Sequence, residues 1–561
     1  MTFAPSVAGP RVTIPETPAV FPNAARLNAT RLDLRFAATL EPYSEDTLGT
    51  VTLRLADQGF CTEAGDTPAH TAFIGRLAEP IRWSRRTTSG TYAGRSVFRT
   101  ASLRFSAVDR ALPAGDLTYD LRGIFSRLAL DGRDVEVRAV FDGYADGITI
   151  FRGTAENWAR AGDGEVEVAL RGLGYRLQTP LQPATYAGTG DLEGPADFEG
   201  LRKPVCFGRV FNIQPAPVIP GELVYQVHAD AGGAGAQINA VTAVRIAGVP
   251  LTDAGDYPTV AALRAATAGS GGDQIPPGQY AACLAEGYVR LGAAPGGVLT
   301  CDVEGGVFEG AFQELPGTIM RIIATQYGPQ LSASEVNAGT FRTIDGEAPW
   351  PVGIFLGPQS VATAESVLDE ISAAVEGSYG DGADGRLEGF VIRAPGATAA
   401  LRFSQAQVEE RSFRYLPAPA DLRPALREMT VGYGRNYTPT SDLPASVTGD
   451  DRTALEQEWR TTIGTQAVTR HAEAKTLRRD TVLSSKAGAD GLRDALLALA
   501  DGRSRRVSFT TNHKGLFAKP GQTVAVSELD EGLDDELVRV TGVSITGSTY
   551  RAEIEGIMRD G

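Results

Sequence analysis

The chain contains few of the residues that build metal sites and disulfide frameworks. Its 561 residues include four cysteines, none of them in a CxxC pair, and four histidines in unrelated contexts. This spacing excludes a zinc ribbon and a disulfide scaffold, and it predicts reduced, mostly buried thiols in a protein made in the cytosol. We therefore expect no metal and no cofactor. The residues concerned are Cys61, Cys206, Cys283, Cys301, His70, His228, His471 and His513.

Motifs of catalysis are missing as well. The sequence has no HExxH, no GxSxG and no P-loop. Its Gly-rich stretches at 232–235 and 269–272 lack the Lys-Ser/Thr pair and the helix start of a P-loop, which indicates loops. The acidic clusters at 381–385 and 530–536 do not follow the ligand pattern of an EF-hand, which indicates turns. We predict no catalytic, cofactor-binding or metal-binding residues.

Positive charge and long apolar runs are also scarce. Lys and Arg total 53 against 68 Asp and Glu, a net charge of −15 at pH 7. This balance disfavours specific nucleic-acid binding, which needs Lys and Arg, although it allows a local basic patch. No uncharged apolar run approaches the roughly 20 residues of a membrane span, and segment 1–30 shows no secretory signal. The arginines at 85–86, 478–479 and 503–506 fit either interface ion pairs or solvated faces.

Short strands and turns are what the sequence has in quantity. Apolar and polar residues alternate at 32–36, 51–55 and 166–170, and Asp-Gly pairs such as Asp131-Gly132 supply turns between strands. Helical spacing is concentrated after residue 310. It predicts helices over 317–327, 364–375, 451–463 and 490–500. The predicted class is α+β and β-dominated, with several antiparallel barrel- or sandwich-like domains and a few packed helices.

Shifts in composition divide the chain into five parts, and no strict internal repeat is visible. In the last part we expect the 451–463 helix to dock Leu455 and Trp459 into the fold, with Ile463 on the same stripe. The expected parts are an extended N-terminal segment at 1–24, a β-barrel-like domain at 25–183, a mostly β subdomain at 184–310, an α+β domain at 311–430, and a C-terminal α+β domain with terminal strands at 431–561.

Characteristic stretches follow one another along most of the chain. Early ones lie at 131–137, 150–154, 166–172 and 180–181, and 200–208 with 212–215 carries a Lys-Pro…Gly…Asn-Ile-x-Pro pattern. Later ones lie at 287–292, 300–305, 367–375 with 385–387, 431–438, and 520–524 with 538–543. In this order they resemble the tail-tip or baseplate hub proteins of tailed bacteriophages and gene transfer agents.

This resemblance implies a virion structural protein, not an enzyme, at the distal tip of a long tail. Members of the family look like rings, usually homotrimers, whose barrel-like domains adapt the symmetry of the tail tube to the fibres or spike below. The implied partners are further copies of the chain, distal tail and tail-tube proteins, the tape-measure protein, and fibre or spike proteins. The implied role includes host attachment and lining the DNA exit path, after assembly in the host cytoplasm.

Two alternatives to the hub function stay open. One is a tail-associated enzyme that degrades polysaccharide or peptidoglycan, because a catalytic carboxylate pair can be distant in the chain. The other is a receptor-binding tail fibre, which predicts long repetitive β segments or a coiled-coil stem. Neither of those features is visible in the sequence.

Overall fold

The computed structural model describes residues 34–86, 100–107, 127–141, 143–162, 164–230, 235–266, 274–417, 425–468 and 473–559. The expected extended segment at 1–24 and His471 lie outside these ranges. Strands clearly outweigh helices, and the strands fall into several separate sheets. The predicted β-dominated α+β class is therefore confirmed.

Within the described ranges the N-terminal part is built mainly from strands, followed by a short helix. Its strands are β1 (Leu34–Leu40), β2 (Tyr43–Ser44), β3 (Gly49–Thr50), β4 (Leu53–Ala56), β5 (Phe60–Cys61), β6 (Ala72–Gly75), β7 (Leu77–Arg86), β8 (Thr100–Ser106), β9 (Leu128–Ala129), β10 (Asp134–Phe141), β11 (Gly143–Gly162) and β12 (Glu165–Arg171). Helix α1 (Gly174–Leu177) follows them. Val166, Val168 and Leu170 on β12 alternate with more exposed residues, as the sequence pattern predicts.

Most of these strands close into a barrel, which we call the first barrel. β10, β11 and β12 form a meander, β12 pairs with β8, and β8 pairs with β7. On the other side β10 pairs with β1, β1 with β4, and β4 with β6 in parallel. Arg76 alone separates β6 from β7. Its N–H donates to Ala56 O and its carbonyl accepts from Ser106 N–H, both at 2.8 Å, so segment 72–86 closes the barrel.

The middle of the chain forms two further sheets. One has the order β17-β16-β21-β13-β23 with β22 beside β21, and the other has the order β14-β15-β20-β19-β18. Helix α2 (Val260–Ala265) packs beside the second sheet. The strands are β13 (Val205–Ile213), β14 (Ala216–Ile219), β15 (Val224–Gln226), β16 (Ile238–Ile246), β17 (Val249–Pro250), β18 (Thr252–Asp256), β19 (Gln279–Cys283), β20 (Tyr288–Leu291), β21 (Leu299–Phe308), β22 (Ala311–Phe312) and β23 (Gly353–Leu356).

Helices then supply a central core between the sheets. They are α3 (Pro316–Gln326), α4 (Ala338–Glu347) and α5 (Ala364–Ala374), followed by the hairpin of β24 (Gly377–Asp381) and β25 (Leu387–Val391). The helices predicted at 317–327 and 364–375 are confirmed. Thr363 caps α5, since its hydroxyl accepts from Ser366 N–H at 3.1 Å.

The C-terminal part returns to strands with two helices among them. It comprises β26 (Leu401–Phe403), β27 (Arg414–Leu416), β28 (Leu426–Tyr433), α6 (Gly449–Glu456), β29 (Arg460–Thr465), β30 (Lys475–Asp480), α7 (Lys486–Leu499), β31 (Ser504–Thr511), β32 (Thr523–Glu528), β33 (Leu533–Thr546) and β34 (Arg551–Arg559). α7 packs on the sheet of β28, β29 and β30 and buries Leu492, Leu496 and Leu499 in the central core. The helix predicted at 490–500 is present and begins one turn earlier.

The prediction of a helix over 451–463 is wrong. α6 ends at Glu456, and Arg460–Thr465 pairs with β28 as a strand. Leu455 is buried as expected, but Ile463 is 59% exposed. The β-branched run at 461–463 favours a strand over a helix, and pairing with β28 supplies the tertiary contacts that decide between them.

The remaining C-terminal strands form a second barrel of six strands, whose order matches that of the first barrel except that β1 and β4 have no counterpart. β32, β33 and β34 form a meander, β34 pairs with β31, and β31 pairs with β27. β26 pairs in parallel with β32, and Val408 bridges to Thr511. Segment 401–416 thus corresponds to segment 72–86 of the first barrel, β31 corresponds to β8, and the two meanders correspond to each other. This internal repeat leaves no visible trace in the sequence.

The two barrels meet edge to edge. β7 of the first barrel pairs antiparallel with β33 of the second, with Trp83 opposite Ile545. Through this joint the barrels share one 15-stranded sheet within the described residues.

Candidate functional site

The three histidines in the described ranges do not come together. His228 is fully buried and accepts the backbone N–H of Cys206 at Nδ1, 3.0 Å away. Burial lowers the pKa of His228 to about 4, so its ring stays neutral. His70 is exposed and His513 lies in the second barrel, and within the described ranges no three His, Cys, Asp or Glu side chains are placed to hold a metal ion.

The cysteines are all free, and three of them are buried. Burial raises the pKa of the Cys206 and Cys301 thiols, which keeps them protonated and poorly nucleophilic. Cys206 Sγ donates to Val227 O at 3.2 Å inside the hydrophobic core formed by the middle sheets. The expected mostly buried thiols are confirmed.

A buried ion pair attaches the first barrel to the central core. Arg85 of β7 donates to Glu388 of β25 at 3.1 Å, and their side chains are 3% and 9% exposed. The Arg85 guanidinium also lies over the Phe390 ring, with 5.6 Å to the ring centroid. The sequence left open whether Arg85 forms an ion pair at an interface or lies on a solvated face. Arg85 forms an ion pair, but its partner lies in the same chain.

Asp381 strengthens the same attachment. The sequence indicates a turn at this residue, yet its side chain is 1% exposed, and Oδ1 accepts the N–H of Leu173 at 2.9 Å. A Cβ added at Gly172 would overlap this carboxylate. A glycine just after β12 is therefore required for close approach of the barrel to the core.

The second barrel is attached by a more exposed contact. Arg539 of β33 donates to Glu347 of α4 at 2.9 Å and to Val391 O at 3.0 Å. The Glu347 side chain is 33% exposed. Both barrels are thus attached to the central core through an arginine, but only the first has a fully buried carboxylate as its partner.

The joint between the barrels is a packed interface. Trp83, Val543 and Ile545 are buried there, and Ser84 Oγ lies 2.9 Å from Ser544 Oγ. Near the end of this joint, the ring of Tyr550 in the second barrel stacks on the ring of Phe36 in the first barrel, with centroids 5.3 Å apart. Backbone pairing combined with apolar packing fixes one barrel relative to the other.

A cavity of about 170 Å³ lies where the middle sheet meets the C-terminal part. Its walls come from β13, β21, β23, β29 and the chain after β28. No local sequence pattern indicates it, because its lining residues come from several short segments spread between Arg209 and Ser484. Among the lining residues are Arg209, Phe211, Asp302, Arg435, Arg460 and Ser484.

No helix in the described part of the chain is long and apolar enough to span a membrane. No protein-family model matches the chain, and no curated protein matches it.

Solved structures with a similar arrangement are tail and virion proteins. The 43 kDa tail protein of prophage MuSo2 from Shewanella oneidensis is 8% identical, with 93% of this chain and 98% of that chain covered and a TM-score of 0.36. A tail protein from Neisseria meningitidis MC58 is 10% identical, with 88% and 94% covered and a TM-score of 0.37. A chain from the virion of a native gene transfer agent particle is 14% identical, with 69% and 91% covered and a TM-score of 0.36.

Proposed function

We propose that this chain is a hub protein of a phage-like tail tip or baseplate. In this proposal three copies form a closed ring that joins the tail tube to the distal fibres or spike and lines the DNA exit path. The observation that carries the proposal is the pair of barrels with related strand orders, joined edge to edge in a single sheet.

The paired barrels supply a way to change symmetry along a tail. A closed ring of three copies contains six barrels of similar strand order, but only three copies of the middle sheets and the central core. One face of such a ring can present six similar units and the other three. This is the arrangement that the sequence resemblance implies for a hub.

The attachments inside the chain suit a permanent assembly. The joint and the buried Arg85–Glu388 pair hold the first barrel against both its neighbours. Preformed geometry lowers the entropy cost of building large interfaces between copies, which in permanent assemblies reach 2,000 Å² or more. The partners in this proposal are further copies of the chain, distal tail and tail-tube proteins, the tape-measure protein, and fibre or spike proteins.

The charge of the chain fits a DNA exit path. With a net charge of −15, an acidic lumen would repel DNA phosphates and reduce sticking during ejection. The proposed role is therefore structural and not enzymatic.

Reconstruction of the intact particle without imposed symmetry tests this function. We expect three copies in one ring at the tail tip, each contributing two barrels. A single copy per particle, or copies repeated along the tail tube, would contradict the proposal. As a second arm, purified protein is incubated with host envelope polysaccharide and peptidoglycan, and release of reducing ends would favour the enzymatic alternative.

A further inference from the structure

The cavity between the middle sheet and the C-terminal part has an unusual charge for this acidic chain. Arg209, Arg435 and Arg460 line it, against Asp302 and Glu304. Both carboxylates already have an arginine partner, which for Asp302 lies outside the lining and for Glu304 lies within it. Asp302 is held by Arg245 through two hydrogen bonds of 2.7 and 2.6 Å, and Glu304 lies 3.3 Å from Arg209.

Two arginines are left over after this pairing. Arg460 has no carboxylate partner among the described residues, and its guanidinium lies over Phe211 at 4.8 Å from the ring centroid. Arg435 lies 3.6 Å from the exposed Glu458, too far for a hydrogen bond. The lining residues thus carry one more positive than negative charge, and Glu458 and Glu370 near Arg435 partly offset it.

Aromatic rings lie beside these two guanidinium groups. Arg435 lies over both Tyr437 and Trp459, with 5.0 and 5.4 Å to the ring centroids. A guanidinium whose face is stacked on a ring keeps its N–H groups for partners in its own plane, which suits a planar or tetrahedral oxyanion. Trp459, which the sequence places in a helix docked into the core, instead supports an arginine of this cavity.

Two polar atoms of the lining also lack a hydrogen bond. Arg435 Nε and Ser484 Oγ are buried and bond to no other described residue. A buried donor without a partner is unfavourable, so each of these atoms is suited to a bound ligand. Both residues, like Arg460, are among those that line the cavity.

We propose that this cavity binds a small oxyanion, held by Arg435, Arg460 and Ser484. An internal cavity of roughly 150 Å³ holds a benzene molecule, so about 170 Å³ accommodates a phosphate group or a short carboxylate. The ligand class is thus a phosphate ester or a small carboxylic acid. This inference does not depend on the hub function.

Calorimetric titration of the full chain with sodium phosphate, and separately with sodium acetate, tests the proposal. We expect saturable binding of at least one of the two anions at one site per chain. The anion with the higher affinity shows whether the natural ligand carries a phosphate ester or a carboxylate group. Absence of saturable binding for both anions would overturn the proposal.

Variants locate the binding within the chain. Arg460→Gln removes an exposed cation without opening the core, and we expect it to weaken the affinity about tenfold or more. Ser484→Ala should weaken it several-fold by removing one donor. The matched control is Arg452→Gln, because Arg452 pairs with Glu456 on α6 and does not line the cavity. Equal losses in the Arg460 and Arg452 variants, with both proteins folded by their thermal melts, would overturn the assignment.

Discussion

In the first barrel the closing segment is almost continuous, whereas in the second it is interrupted. Arg76 alone connects β6 to β7 and uses its own backbone to bridge both neighbouring strands. In the second barrel a 3-10 turn at Gln405–Gln407 and a loop separate β26 from β27. There the Gln405 side chain donates to Glu528 at 2.9 Å and accepts from Leu529 N–H at 2.7 Å. The corresponding segment is thus joined by backbone in one barrel and partly by side chains in the other.

The first barrel is also attached to the central core by the more buried of the two arginine–carboxylate pairs. The Arg85–Glu388 pair of the first barrel is buried, while the Arg539–Glu347 pair of the second has a partly exposed carboxylate. A buried charge that loses its partner is much more costly than an exposed one. The two barrels should therefore respond unequally to equivalent substitutions, and the following experiments measure that inequality.

The largest effect is expected from Arg85→Ala in the first barrel. It leaves the Glu388 carboxylate buried without its cation, which typically costs about 3–5 kcal/mol of unfolding free energy. Urea denaturation followed by circular dichroism measures the loss. Arg82→Ala is the matched control, since Arg82 is 66% exposed in its pair with Glu79 and should change stability little. Equal losses in the two variants would show that the buried pair does not anchor the barrel.

A smaller loss is expected from Arg539→Ala in the second barrel. This change removes the contacts with Glu347 and Val391 O, but water can solvate the freed carboxylate. We expect a loss of about 2 kcal/mol in the same urea experiment. A loss as large as that of Arg85→Ala would remove the inequality between the two attachments.

Gln405→Ala tests the side-chain closure of the second barrel. It leaves Glu528, which is 3% exposed, without its amide partner, and we expect a loss of about 1–2 kcal/mol. Hydrogen exchange should show faster opening of β26 and β32 and no change in β6 and β7. Gln58→Ala, at an exposed position of the first barrel, is the control. Unchanged exchange in β26 would mean that the backbone alone closes this barrel too.

The smallest effect is expected from protonation of His513 at low pH. Burial, with a contribution from Lys514, lowers the pKa of His513 in the folded second barrel. The unfolded chain therefore binds this proton more readily, so stability is complete above the unfolded pKa of about 6.5 and decreases as the pH falls below it. Hydrogen exchange between pH 7 and 5, with exchange chemistry corrected for, should show the second barrel loosening. His513→Gln should reduce the change in the corrected exchange rate of the second barrel between pH 7 and 5. An unchanged pH dependence in this variant would exclude His513 as the cause.

Local patterns predicted much of the secondary structure because their causes are local. The α5 helix could be recognised from Thr363 and the apolar spacing that follows it, and both act within one or two turns. α4 gave no such signal, since Gly339 and Gly346 weaken its helical pattern. For Arg460–Thr465 the spacing of Leu455 and Trp459 indicated a helix, but pairing with β28 decided the outcome.

Long-range pairing explains what the sequence did not indicate. The β7–β33 joint and the Arg85–Glu388 pair connect residues hundreds of positions apart, and neither leaves a local pattern. The arginines of the cavity likewise come from separate strands. The prediction that the chain has no catalytic or metal-binding residues stays a prediction, and the oxyanion cavity goes beyond it.

The joint between the barrels also has a consequence for biosynthesis. Ser84 and Ser544 face each other across it, although 460 positions separate them in the chain. At about 5–20 residues per second, the ribosome needs roughly 20–90 s to deliver β33 after β7 has emerged. Throughout that interval the edge of β7 that β33 later covers is open to pairing with other nascent chains. The last strands to be translated therefore protect the first barrel from aggregation, and premature termination before residue 546 would release a protein with an open strand edge.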